Sequence, residues 1–170
     1  MRILITALAL FFSAHVSAEP IEQLAPLAPF TGKTWRTVDG SVDGSENFSD
    51  ISKWEWILHG RVMRITHSVG GGSYAGESLI HWDDVQGKII YRYVTTAGFY
   101  TDGVITPVEG GIDVHEFIRG SKGGPTETLS GYRIENGQMH GWSKLLTDGV
   151  WSEANTFIYE EAPDAVPNID

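Results

Sequence analysis

The sequence predicts an all-β protein, an antiparallel up-and-down barrel of about ten strands with a short N-terminal capping helix. Three observations carry that expectation. Turn signals recur evenly after residue 31: His59-Gly60, Gly70-Gly71-Gly72, residues 83–87, 96–98, 107–111 and 120–124, Asn136-Gly137 and Asp148-Gly149. The runs between them, roughly 7 to 11 residues each, are rich in Val, Ile, Thr, Tyr and Trp, which is the pattern of short strands joined by tight turns. Past residue 31 no apolar pattern holds helical spacing over three turns. A meander of that kind closes on itself, because closure removes the exposed edges of the sheet. Twenty glycines suit the bends that closure needs.

The elements follow in order. Arg2, the apolar run 3–12 and the small residues Val16-Ser17-Ala18 form a secretory signal peptide with cleavage near Ala18. The apolar run is shorter than the roughly 20 residues of a membrane span. No cysteine follows it, so no lipid anchor is expected, and the protein is expected to be periplasmic or secreted. Residues 19–162 are expected to form one domain. Their first part holds three prolines before Thr31, leaving room for only a short helical turn. Gly32-Lys33-Thr34-Trp35 opens the first strand, which runs to about Val38, and residues 39–46 form a loop with two Asp/Gly pairs. The tail, 163–170, reads as flexible.

Composition narrows the function. Once the leader and its Arg2 are removed, 11 basic residues face 22 acidic ones. Nucleic acid and anionic membrane surfaces need clustered Lys and Arg, so neither is an expected partner. No other segment reads as a membrane span. With no cysteine the exported domain must be stable without disulfides, and thiol nucleophiles are excluded. There is no G-x-S-x-G elbow, phosphate loop or G-x-G-x-x-G.

Turn-by-turn pairing sorts the faces. A two-residue turn at His59-Gly60 sets Trp56 opposite Met63, Glu55 opposite Arg64 and Trp54 opposite Ile65. The Glu55–Arg64 pair belongs in water, so Trp54, Trp56, Met63, Ile65 and His67 face inward. A following turn centred on Gly72 places His67 opposite Glu77 and Met63 opposite His81. Leu79 then faces Arg92. On that register Leu79 and Val94 also point inward, around His67, Glu77, His81 and Arg92. At the other end, Asn136-Gly137 and Asp148-Gly149 pair Ile134 with Met139 and Tyr132 with Gly141, and set Lys144 beside Glu153. The inward wall there reads Met139, Gly141, Ser143, Leu145, Ser152, Ala154, Thr156 and Ile158, small or flexible residues that leave space.

The candidate binding residues are therefore Trp54, Trp56, His67, Glu77, His81 and Arg92. A carboxylate at Glu77 would orient the His67 imidazole and raise its pKa, as in a general base; the plain alternative is a cross-strand pair. Arg92 inside a cavity would need Glu77 or a ligand anion as partner. His67, His81 and Glu77 could hold zinc or iron, although no H-x-H or H-E-x-x-H is present, and no cofactor or metal is expected. His115 lies on an ambiguous face, where exposure is favoured, and His140 lies outside, opposite Arg133.

Several of these stretches carry a resemblance. Pro29 through Arg36 (P-F-T-G-K-T-W-R), His67-Ser68-Val69, Gly76-Glu77-Ser78, Trp82-Asp83 and the run T-T-A-G-F-Y-T-D-G from Thr95 resemble secreted bacterial domains of the lipocalin-like, calycin type. That resemblance implies a ligand-holding barrel in which Trp35 closes the bottom, and it brings no established activity. The chain departs from lipocalins in having G-x-x-W for G-x-W and no disulfide. It also lacks the Gly-rich first strand of nitrobindin-type haem barrels and, over residues 150–159, a histidine to bind haem iron.

Function reads first as binding of a small apolar or amphipathic ligand in the interior. The alternatives are a cofactor-free enzyme (isomerase, cyclase or hydrolase) using His67 with Glu77, and a structural or interaction barrel with a packed interior.

Overall fold

The protein is described by a computed structural model over residues 19–39 and 48–170. The signal peptide expected over 1–18, and most of the loop expected over 39–46, lie outside the described residues. Eleven strands are present among them: β1 (Lys33–Thr37), β2 (Asp50–Ile57), β3 (Val62–Val69), β4 (Tyr74–Asp83), β5 (Lys88–Thr95), β6 (Tyr100–Val108), β7 (Gly111–Arg119), β8 (Glu127–Glu135), β9 (Gln138–Thr147), β10 (Val150–Trp151) and β11 (Asn155–Glu161). All pairings are antiparallel. β8 also pairs with β9, which closes the sheet into a barrel. β10 and β11 both lie on β9 and act as one broken strand, so ten strands surround the interior. No helix among the described residues is long and apolar enough to cross a membrane.

The capping helix is a 3-10 helix, Glu22–Phe30. Its period explains the sequence. Leu24, Leu27 and Phe30 stand three residues apart, and three residues per turn puts them on one face. All three are fully buried and plug one end of the barrel. Burying each side chain contributes roughly 1.5–3 kcal/mol. Phe30 stacks on Trp54 with ring centroids 5.4 Å apart, and its carbonyl accepts the Trp35 indole N–H at 3.0 Å. The plug is tied down by the Ile21 N–H, which donates to the Gly60 carbonyl at 3.1 Å.

Three hairpins have the expected register, β4–β5 with Leu79 opposite Arg92 among them. β2 and β3 pair Trp54 with Ile65, Glu55 with Arg64 and Trp56 with Met63, and Arg64 bonds Glu55 on the outer face. β8 and β9 pair Ile134 with Met139 and Tyr132 with Gly141, around a turn in which both Asn136 and Gly137 have positive φ.

Two pairings differ. Between β3 and β4 the register is one residue off the expected one: His67 lies opposite Gly76, Ile65 opposite Ser78 and Met63 opposite Ile80. The loop occupies residues 70–73, and Ser73 donates its hydroxyl to the Val69 carbonyl at 3.1 Å. A one-residue slip exchanges the two faces of a strand. Leu79 still faces Arg92, but the pair, with Glu77, His81 and Val94, lies on the outside of the barrel. The inner face of β4 and β5 carries Tyr74, Ser78, Ile80, Tyr91 and Tyr93 instead.

The second difference is a bulge. β10 pairs Val150 with Thr147, but after residues 152–154 the register has moved by one, and Asn155 pairs with Ser143. Ser152 anchors the bulge, its hydroxyl accepting the Leu145 N–H at 3.1 Å. Phe157 and Tyr159 thus face inward where Thr156 and Ile158 were expected, and Lys144 does not pair with Glu153. Gly141 makes this possible: a Cβ there would stand 1.9 Å from the Phe157 ring. That wall carries aromatic side chains rather than only small ones.

The C-terminal tail does not hang free of the barrel. The Asn168 N–H bonds the Ser68 hydroxyl at 2.9 Å and its side-chain amide bonds the Gly71 carbonyl at 2.8 Å, on the outer face of β3 and the adjoining loop.

Candidate functional site

The barrel interior is not filled. A cavity of about 300 Å³ lies between the plug and the opposite end of the strands. Its apolar part is built by Trp54, Ile65, Ile80, Ile105, Ile112, Val114 and Met139. Alternation places these residues, since each strand turns every second side chain inward. The Trp54 indole N–H is satisfied by the Ser52 hydroxyl at 3.0 Å, so the ring is free to serve as a wall.

The polar part comes from strand ends remote from the plug. Asp50 opens β2, and its backbone N–H is held by the Thr37 hydroxyl at 3.0 Å. Its Oδ1 lies 3.2 Å from His67 Nδ1, and its Oδ2 accepts the Tyr159 hydroxyl at 2.8 Å. His67 Nε2 lies 2.5 Å from the Tyr93 hydroxyl, which in turn is 2.7 Å from the Tyr74 hydroxyl. A carboxylate, an imidazole and two phenols thus form one continuous line. The His67 and Asp50 side chains keep only 19% and 11% of their surface accessible. The imidazole is held at both nitrogens, Nδ1 by the Asp50 carboxylate and Nε2 by the Tyr93 hydroxyl, whose own proton goes on to Tyr74.

Glycine lets the line form. Gly76 faces His67 across the β3–β4 pair, and a Cβ at Gly76 would stand 2.2 Å from the Tyr93 ring. The Tyr93 ring therefore lies over β4 at the one position without a side chain and reaches β3. The device is repeated. Gly103 faces Glu116 across β6 and β7, and a Cβ there would stand 2.3 Å from the Tyr91 ring. Tyr91 bonds Glu116, which also accepts the Thr101 hydroxyl at 2.9 Å.

Electrostatics follow from burial. Desolvation pushes Glu116 above the usual carboxylate range, opposed by the hydroxyls of Tyr91 and Thr101. Desolvation also raises the phenols of Tyr74, Tyr91, Tyr93, Tyr132 and Tyr159, with Asp50 and Glu116 adding to the effect. These tyrosines remain protonated hydrogen-bonding groups at neutral pH.

Of the six residues singled out from the sequence, Trp54 and His67 line the cavity. Trp56 faces inward but packs against the core near the plugged end. Glu77, His81 and Arg92 do not reach the cavity, because the β3–β4 register turns them outward. Arg92 bonds Asp102 at 2.8 Å and covers the Tyr100 ring, and His81 bonds its neighbour's carbonyl. The Glu77–His67 pair and the His67, His81, Glu77 metal set are therefore not assembled. No group of three His, Asp or Glu side chains suited to a metal occurs among the described residues. His115 turns outward to Glu127 at 2.7 Å, and His140 stands opposite Arg133 as expected.

Asp50, Tyr93 and Glu116 are the residues that sequence reasoning missed. Two had a signal. Asp50 and Ser52 share the period-two face of Trp54, and Glu116 continues the face of Ile112 and Val114. Tyr93 had none, since its face depends on the β3–β4 register.

A scan of protein-family models and a search of curated proteins found no match to this chain, so its likeness to calycin barrels rests on the closed antiparallel fold.

Proposed function

We propose that the protein binds a small amphipathic molecule inside the barrel, with its apolar body against Trp54 and the isoleucines and its polar end at the wall formed by Asp50, His67, Tyr93 and Glu116. One observation carries the reading: an unfilled apolar cavity with its hydrogen-bonding groups gathered toward one end, the usual form of a small-molecule site. It weighs against the packed structural barrel. Protein interiors close their voids unless something else fills them, because an empty cavity forfeits contacts on every wall. Export after cleavage near Ala18 belongs to the same proposal, supported by the leader's charge and apolar run. N-terminal sequencing of the mature protein should begin at Glu19.

The test is a titration with prodan, a neutral dye that brightens in apolar surroundings. Saturable binding is expected in the wild type. Ser78→Trp and Ile65→Trp, each filling the cavity from a different strand, should abolish it while circular dichroism keeps the barrel signature. Undiminished binding in a folded filled variant would place the dye elsewhere and overturn the reading.

A second reading is favoured by one feature, the Asp50–His67–Tyr93 line, in which a carboxylate orients an imidazole that can take a proton from a bound substrate. In that case the barrel is a cofactor-free proton-transfer enzyme with Asp50 in the place expected for Glu77. Mass spectrometry of any molecule that co-purifies separates the two readings. A molecule recovered unchanged after prolonged incubation fits binding; conversion that His67→Gln stops fits catalysis.

A further inference from the structure

We infer that the ligand is a small organic cation, an amine or quaternary ammonium carried on an apolar body. The inference rests on the binding reading and adds the chemical class of the ligand. Charge inventory is the first ground. Among the described residues the cavity lining holds two carboxylates, Asp50 and Glu116, and no lysine or arginine. The arginines in ion pairs lie on the outer surface: Arg36 with Glu160, Arg64 with Glu55, Arg92 with Asp102 and Arg133 with Asp113. An anionic head would enter without a countercharge and meet two acids, and a desolvated charge without a partner is very costly.

The second ground is that one of the two acids lacks a bonded countercharge. The one histidine of the lining, His67, faces Asp50, so a protonated imidazole is matched by that carboxylate. Among the described residues Glu116 accepts hydrogen bonds from neutral hydroxyls, those of Tyr91 and Thr101; the charge acting on it is that of His115, whose ring is turned outward and bonds Glu127 instead. An ammonium group supplies the bonded countercharge that Glu116 lacks.

The third ground is aromatic. Trp54 and the tyrosines at 74, 91, 93, 132 and 159 put six rings on one cavity. Ring faces are electron-rich and attract cations, the more so when water is excluded. Carboxylate and rings together select an alkylammonium over a neutral alcohol of the same shape, and both over a carboxylate.

Calorimetric titration with phenethylamine, phenethyl alcohol and phenylacetate tests this on the mature protein, beside the prodan titration. The amine should bind at least tenfold more tightly than the alcohol, with phenylacetate weakest. Glu116→Gln, its fold verified by circular dichroism, should bring amine and alcohol within about threefold of each other. Prodan binding without an amine preference, including no amine binding at all, overturns the cation inference and leaves the binding reading standing. Failure of prodan and all three probes overturns both. An amine preference that survives Glu116→Gln overturns the role given to that carboxylate.

Discussion

Tyr93 reaches His67 across Gly76, bridging two strands that are not neighbours. Three strands take part: Tyr93 projects from β5, Gly76 leaves β4 bare and His67 waits on β3. The same arrangement joins Tyr91 to Glu116 over Gly103 and sets Phe157 beside Tyr132 over Gly141. Glycine normally weakens a strand interior. Here each supplies the gap through which an aromatic ring crosses to its partner.

Gly76→Ala should therefore act on the site and not only on stability. The added methyl collides with the Tyr93 ring, an overpacking that costs about 1–3 kcal/mol. Thermal unfolding should show the loss, and the His67 ring resonances should shift as Tyr93 is displaced. Gly124→Ala, where a Cβ meets only ordinary contacts at 3.7 Å, is the control and should change neither.

Asp50 should couple energetically to Tyr159. Replacing Asp50 by Ala leaves the buried Tyr159 hydroxyl and His67 without their acceptor, at about 1–3 kcal/mol for each unsatisfied group. Tyr159→Phe removes one of these needs. A double-mutant cycle by chemical denaturation should give a coupling of about 0.5–3 kcal/mol, and strict additivity would show that the bond contributes nothing.

Glu116 sets a pH dependence whose sign is fixed by burial. Its folded pKa is raised, so its contribution to stability is complete below the unfolded value of about 4.3 and is lost as pH rises through the folded value. Glutamine does not titrate. Glu116→Gln should match the wild type in melting temperature near pH 4 and exceed it increasingly as pH rises, levelling off once the folded carboxyl has ionised. A constant offset across pH would contradict a desolvated Glu116.

Glu77, His81 and Arg92 should be dispensable for the cavity. Alanine at each is expected to leave prodan affinity within about twofold. The melting temperature should barely move, since exposed ion pairs such as Arg92–Asp102 contribute little. A large loss of dye binding in Arg92→Ala would place that guanidinium at the ligand after all.

The sequence by itself determined the barrel and three of its registers, β2–β3, β4–β5 and β8–β9. Turn punctuation and alternation are local properties. Leu58 and His59 both take positive φ in the β2–β3 turn, and Asn136-Gly137 forms a two-residue turn that fixes which residues pair. Trp54 and His67 were placed on the inner face for that reason, and Asp50 and Glu116 were within reach of the same rule.

Only the tertiary structure decided the rest. Gly70, Gly71 and Gly72 all take positive φ, and a glycine run of that kind accommodates neighbouring turn lengths without choosing between them. The choice is made by distant partners. Tyr74 and Tyr93 gain an inward site beside His67, and the tail covers the outer face at Ser68. These contacts join residues far apart in the chain, and no local pattern encodes them. One residue of register in that loop moved Glu77, His81 and Arg92 to the surface and gave the cavity its tyrosines.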